Sequence, residues 1–294
     1  MRHAHGRHGA DVRENDPGWR LPGAECNVLT PAHMDKSSFE DEWRRRFDEF
    51  AETRDSDASI AGWSETGLDA RVRAFVRSWM GRPQGERWLD LGCGAGTYTR
   101  LLTEQTLDVI GVDYSPRSLG KAKSRSKAAI QWVCADARSL PFGNESFDGL
   151  LCFGVTQALS ETLPVVAEAA RVLRPGGELW IDALNGACLA NVASVVKRRL
   201  TGLPSHLRYE RVGQVKRALR QAGFSQPSVA WLPLAPARFR MLQRLFESRA
   251  SEAILRAVPP IASVISHSFI VRGRRLCPTA NSGRQPAANG ARFQ

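Results

Sequence analysis

Long apolar runs are missing from this chain. No stretch of its 294 residues approaches the ~18 consecutive apolar positions that a membrane-spanning helix requires. The opening residues, Met1 to His8, lack the apolar core of a secretory signal. Six cysteines (26, 93, 134, 152, 188 and 277) form no C-x-x-C pair, and several fall in apparent core strands. Reduced thiols in a cytoplasmic protein are therefore expected. His3, His5 and His8 have no Cys or carboxylate cluster to complete a site, so no metal is expected. Acid is scarce in one part of the chain. Residues 186–294 hold 3 acidic against 18 basic residues, a net of +15, whereas residues 1–185 hold 27 against 23, a net of −4. Such an asymmetry bears on partners rather than on fold.

With 43% hydrophobic residues, the chain suits one large α/β domain with additions. Residues 1–33 and 276–294 show no periodicity and read as disordered tails, leaving a folded domain over 34–275. Met34, at the compositional break, is a candidate translation start. A Ser cap at 37 or 38 then opens an amphipathic helix with Phe39, Trp43, Phe47 and Phe50 at helical spacing, a stripe read as packing. A second helix spans Glu65 to Met80, ended by Gly81 and Pro83.

The organising stretch is Trp88 to Arg100. An apolar strand, Arg87 to Leu91, runs into Gly92, Gly94 and Gly96, and Thr97 to Thr103 starts a helix. Glycine suits such a turn because it tolerates positive φ and has no Cβ to hold a ligand off the backbone. The G-x-G-x-x-G spacing of dinucleotide folds is not met, because position 97 is Thr. A second strand, Leu107 to Asp113, ends in an acid, the place where nucleoside-binding α/β folds hold ribose hydroxyls. Ser115-Pro116 caps the next helix. Further strands are read at Ala129 to Cys134, Ser146 to Phe153 and Glu178 to Ala183, with a helix from Glu161 to Leu173. In the basic third, helices are read at 187–200, 206–222 and 237–258, the last with Phe239, Leu242, Phe246, Ala253 and Ala257 on one face. Strands are read at 228–232 and 263–271. The alternation predicts a doubly wound, mostly parallel, Rossmann-like sheet of seven strands, the last antiparallel, with N-terminal helices and a helical insertion in the C-terminal third.

Five motifs stand in order: Asp90/Gly92/Gly94/Gly96; Asp113; Asp136-Ala137-x-x-Leu140-Pro-Phe142; Phe147-Asp148; and Arg171-Val-Leu-Arg-Pro-Gly-Gly177. Together they resemble the class I S-adenosylmethionine-dependent methyltransferases, and within them the ubiquinone/menaquinone-type small-molecule branch. The resemblance implies S-adenosylmethionine as cofactor, a core at 86–183 and an acceptor side at 184–262. Asp90 would hold the amino group of the methionine part, the backbone from Gly92 through Cys93 and Gly94 to Gly96 would lie along that part, and Asp113, followed by Tyr114, would take the ribose diol. Asp136 and Ala137 would read adenine, and Phe153 would stand near the methyl donor. His206 and Tyr209 are candidate bases in the variable acceptor segment, with Tyr98 a further candidate.

The implied function is methyl transfer to a small-molecule or lipid-like acceptor. The alternatives are an RNA methyltransferase and a non-catalytic binding protein of the same fold. Leu151-Cys-Phe-Gly-Val-Thr156 lacks the Asn/Asp-Pro-Pro-aromatic motif and the Pro-Cys pair of nucleic-acid methylating enzymes, so a nucleic-acid partner is disfavoured. The basic third allows peripheral contact with an anionic membrane. Oligomeric state is not legible.

Overall fold

The structure, a computed structural model, describes residues 38–79, 84–203, 207–233, 241 and 243–277. The expected tails, apart from Leu276 and Cys277, and His206 lie outside the described residues, as do Phe239 and Leu242 of the expected last stripe. Three helices lead in: α1 (Ser38–Thr53), α2 (Asp57–Ile60) and α3 (Glu65–Ser78). Ser64 caps α3, its side chain accepting from the Gly67 amide. Then β1 (Arg87–Leu91), α4 (Thr97–Thr103), β2 (Asp108–Asp113), α5 (Pro116–Arg125) and β3 (Gln131–Cys134) alternate as expected, and β4 (Phe147–Cys152) follows β3 without a helix between them. A 3-10 turn at Thr156–Ala158 and α6 (Leu163–Val172) lead to β5 (Leu173–Leu184). The remainder is α7 (Leu189–Leu200), α8 (Val212–Gln221), β6 (Phe224–Pro233), α9 (Gln243–Phe246), α10 (Arg249–Ala257), α11 (Pro259–Ile265) and β7 (Ser266–Arg275).

The strands form one seven-stranded sheet in the order β3-β2-β1-β4-β5-β7-β6. β7 runs antiparallel to both β5 and β6, and the other pairings are parallel. Because the sheet is covered on both faces, its central strands are mostly apolar, with Asp90, Glu178 and Asp182 as buried exceptions. One face packs Leu89, Ile110, Leu150, Val166, Leu219 and Phe269 under α6 and α8. The other packs Trp88, Leu151, Trp180 and Ile270 against Phe75 and Trp79 of the α3 segment. Burying each such side chain contributes about 1.5–3 kcal/mol, so these two layers hold the strand ends where a site can form.

Several boundaries differ from the sequence reading. The expected helix over 237–258 is not continuous. The chain breaks after α9, and Ser248 starts α10 by accepting from the Ser251 amide at 3.2 Å. Ala253 and Ala257, expected on its inner face, are exposed, and Leu255 is buried instead. The segment 259–265, expected partly as strand, is α11, with Pro259 and Pro260 in its first turn, where their missing amides cost no hydrogen bond. Residues 207–211 are not helical: the Gly186 amide donates to the Glu210 carbonyl, and the Glu210 amide to Leu184. Cys93, Cys152, Cys188 and Cys277 are free thiols, but Cys134 is disulfide-bonded, which corrects the expectation of reduced cysteines at that position.

Candidate functional site

The turn after β1 sets the floor of a cleft. Gly92 has φ 74°, and a Cβ there would meet Val155 Cγ2 at 2.2 Å. Gly96 has φ 82°, and a Cβ would meet the Trp132 ring at 2.7 Å. A side chain at either position would force both the backbone and a packed neighbour to move. The loop is held by its neighbouring strand: the Gly94 amide donates to Asp113 Oδ2 at 2.9 Å and the Ser115 amide to Asp113 Oδ1 at 2.9 Å. Burial pushes the Asp113 carboxyl up to about 6, against the lowering effect of those amides.

Gly92, Cys93, Gly94, Asp113, Tyr114, Asp136, Ala137 and Phe153 all line this one cleft. Asp136 is gripped from two sides. Arg138 donates to both its oxygens, and Arg44 of α1 donates to Oδ2 at 2.6 Å. Burial would raise the Asp136 pKa, but the guanidiniums outweigh it and hold it below the ordinary aspartate value. Asp90 is placed differently. Its Oδ2 accepts from the Thr99 hydroxyl at 2.6 Å, pinning α4 to β1, and it is not among the cleft-lining residues. Burial raises its carboxyl to about 6. Gly96 also sits behind the wall, as the left-handed N-cap of α4.

The roof was not foreseen. Trp43, Arg44 and Phe47 of α1 line the cleft, so the aromatic stripe covers the site as well as packing. α1 is fastened by polar contacts that include Arg44–Asp136, Arg138–Glu40 at 2.6 Å, Ser115 Oγ donating to Asp48 at 2.6 Å, and Tyr114 Oη donating to the Arg44 carbonyl at 2.9 Å. Asp57 of α2 joins this side by accepting from Thr97 at 2.6 Å and Arg125 at 2.6 Å.

Toward β4 and β5 the cleft turns aromatic. Phe153 stacks edge-on to Tyr98, ring centroids 5.0 Å apart, and the Arg71 guanidinium lies 3.6 Å over the Trp63 ring. Arg71 is 3% exposed; it donates to Asp182 (3.1 Å), the Gly67 carbonyl (3.2 Å) and Ser268 Oγ (3.0 Å). Asp182 in turn accepts from the Gly154 amide at 2.7 Å. Burial drives the Tyr98 phenol well above its ordinary pKa, so it stays protonated. Its hydroxyl and the Trp43 indole nitrogen are buried without a hydrogen-bond partner. Buried donors normally have partners, so these two cleft-lining groups fit a bound molecule with acceptor atoms.

Tyr209 does not reach this cleft. It lies against Ser194 and Arg198 of α7 and beside Cys188, its phenol raised by burial, and it lines a separate groove with Glu161, Arg208 and Glu210. Arg71 and Asp182 were missed in the sequence. The available signal was an arginine at core spacing between Leu68 and Phe75, together with an acid inside an otherwise apolar strand.

Comparison with known proteins bears on this geometry. Residues 89–181 match the family described as a methyltransferase domain. The chain is 32% identical over 154 residues to a demethylmenaquinone methyltransferase of Renibacterium salmoninarum, covering 52% of this chain and 62% of that protein. It is 30% identical over 168 residues to the biotin biosynthesis bifunctional protein BioHC of Cellvibrio japonicus, covering 56% of this chain and 32% of that one. It thus spans less than two thirds of either relative. A chain from the complex of the Haloferax volcanii Trm112 methyltransferase activator with a methyltransferase superposes with a TM-score of 0.58 at 20% identity, covering 79% of this chain and 98% of that chain. The Haemonchus contortus phosphoethanolamine N-methyltransferase 2, solved with S-adenosyl-L-methionine, gives 0.53 at 19% identity, covering 79% and 60%. The structural likenesses establish the fold: a Rossmann-like sheet with a reversed β5-β7-β6 end. The stretch that matches a methyltransferase domain, residues 89–181, runs from β1 into β5 and so carries the Gly92–Gly96 turn, Asp113 and Asp136.

Proposed function

We propose that this chain catalyses methyl transfer from S-adenosylmethionine to a small-molecule or lipid-like acceptor. The carrying observation is a single cleft with two chemically distinct ends. Its β2–β3 end offers Asp113 and Asp136, carboxylates suited to ribose hydroxyls and the adenine amino group, beside the Gly92–Gly94 backbone. Its β4–β5 end offers Trp63, Arg71, Tyr98 and Phe153. When bound, the cofactor supplies a methyl group on a sulfonium, already activated for in-line displacement.

The residues supply alignment and dryness, which contribute up to about 7–11 kcal/mol in favourable cases. Trp43 and Phe47 close the top against water. Asp90 acts through Thr99, keeping the first turn of α4 in place. At the acceptor end the Arg71 guanidinium favours negative charge on an acceptor oxygen, and the neutral Tyr98 hydroxyl donates to it. Among the described residues no histidine lines the cleft. An acceptor that enters ionised, or acidic enough to ionise beside Arg71, suits this end best. Tyr209 is too far into its own groove to act as base there.

The quinone-type names of the relatives support a small, lipid-like acceptor, and the basic third supports its approach from an anionic surface. Incubation with methyl-tritiated cofactor and a cell extract, followed by extraction, tests the reading. Label is expected in the lipid or small-molecule fraction. Label in RNA overturns the acceptor class, and a protein that binds the cofactor but labels nothing is the non-catalytic alternative.

A further inference from the structure

The sheet edge that carries the cleft also carries an unusual surface. β6 and β5 both run antiparallel to β7 and hence parallel to each other. The chain leaving each of them emerges at the edge where Gly92 and Asp113 lie, and α7, α10 and α11 are built there. α7 has its polarity inverted. Its one buried residue is Asn191, whose Nδ2 donates to the Asn185 and His267 carbonyls at 2.8 and 2.9 Å. Leu189, Val192, Val196 and Leu200 form a helical stripe on the outer side, Leu200 83% exposed and Leu189 66%. α11 packs beside it, tied in by Asn185 Nδ2 donating to the Ser263 carbonyl at 2.6 Å. That helix buries Ala262 and leaves Ile261, Val264 and Ile265 exposed. A contiguous aliphatic face on two adjoining helices signals a partner rather than a solvated surface.

Charge decides which partner. Lys197, Arg198 and Arg199 end α7, and Arg249 and Arg256 flank the exposed Ile254 on α10. Of the three acids of residues 186–294, Glu252 neutralises Arg256, while Glu210 and Glu247 are paired elsewhere, with Arg208 and Arg73, so the positive end of α7 keeps its excess. Protein-binding patches are depleted of lysine at their centre. An aliphatic stripe bordered by lysine and arginine is the composition of a helix lying at an anionic lipid interface. We infer that α7 and α11 dock on an anionic membrane, seating the cleft mouth at the headgroup layer so that a lipid-borne acceptor reaches it without crossing water. The docking stands on this surface alone; its link to acceptor delivery rests on the proposed methyl transfer.

The test is co-sedimentation of the full chain with vesicles of phosphatidylcholine alone or mixed with phosphatidylglycerol, at low and high salt. Each basic residue near an anionic surface is worth roughly fivefold in partition. The protein is therefore expected to pellet with the mixed vesicles at low salt, to stay in solution with phosphatidylcholine, and to be released as salt screens the charge. The variant Val192→Ser/Val196→Ser/Leu200→Ser should lose pelleting at least tenfold, and Lys197→Glu/Arg199→Glu should lose it more. Both should bind S-adenosylmethionine with unchanged affinity by calorimetry, which separates docking from the site. Protein left in the supernatant with mixed vesicles at low salt overturns the inference. So does unchanged pelleting of the serine variant, which would leave only diffuse electrostatic adsorption. If the serine variant changes only the sedimentation coefficient in solution, the stripe joins two copies of the chain, and the membrane reading fails. Failure of the parent protein to bind S-adenosylmethionine would count against the proposed function and leave the vesicle result standing.

Discussion

Asp113 has to serve two sets of hydrogen bonds at once. Its carboxylate orders the loop through the Gly94 and Ser115 amides, and in the proposed role its remaining lone pairs take the ribose hydroxyls. Replacing it with Ala removes charge-assisted bonds worth about 1.5–3 kcal/mol. Asp113→Ala is thus expected to weaken cofactor binding roughly tenfold to a hundredfold in a protein that still melts cooperatively; calorimetry showing unchanged affinity would refute the role. The raised pKa adds a pH dependence. The form that accepts from both hydroxyls is the carboxylate, so affinity should rise as pH passes upward through about 6 and level off above it. Calorimetry from pH 5 to 8, values chosen about one to two units either side, should show that rise in the parent and a flat profile in Asp113→Asn. Tyr98 predicts an opposition between stability and function. Its hydroxyl is buried without a partner, a cost of about 1–3 kcal/mol that Phe avoids. Tyr98→Phe should therefore resist urea slightly better than the parent in the absence of ligand, yet lose methyl transfer.

At the scale of elements, α1 is the part whose behaviour is least fixed by the core. It is attached chiefly through polar contacts at the cleft rim, and such a segment opens more readily than one buried in apolar layers. Arg44→Ala cuts the fastening to Asp136 and should speed amide exchange over 39–50 while leaving β1 protected, with cofactor affinity falling several-fold. Mass-resolved hydrogen exchange reads both regions in one experiment. How far such features were legible in sequence follows from the physics of each. The β1–loop–α4 unit announced itself because a short strand with Trp88, Leu89 and Leu91, followed by three spaced glycines, admits few other structures. α1 was recognisable as a helix, but a roof over a cleft and a face on a core require the same aromatic stripe, so its role was not. Arg71 was hidden because a single arginine on an amphipathic helix ordinarily faces water, and only its distant partners Asp182 and Ser268 make burial tolerable. The reading of one helix over 237–258 failed for a related reason. Every residue there has acceptable helix propensity, and the break depends on a serine cap and on tertiary contacts that periodicity does not reveal.

For the molecule as a whole, Arg71 joins segments that are far apart in sequence: α3 near the start, β5 in the middle and β7 at the end. Removing one partner from a buried ion pair strands the other charge, at about 3–5 kcal/mol. Arg71→Leu should lower the urea midpoint strongly with little change in m-value, and it should do so more than any single change at the Asp136 cluster, which is partly exposed to solvent. The same wiring predicts that residues 84–184 alone will not fold cooperatively by circular dichroism, since β5 would lose its pairing with β7 from Glu178 to Leu184. The fastened roof carries a consequence in time rather than in energy. With Trp43 and Phe47 held over the cleft through Arg44, Glu40 and Asp48, release of spent cofactor is expected to wait on the lifting of α1. Such opening steps set the turnover of many enzymes. In rapid-quench experiments the parent should give a burst of methylated product followed by a slower steady rate. Arg44→Ala should shrink the burst and speed the steady phase, because the departure of S-adenosylhomocysteine would no longer wait on the roof.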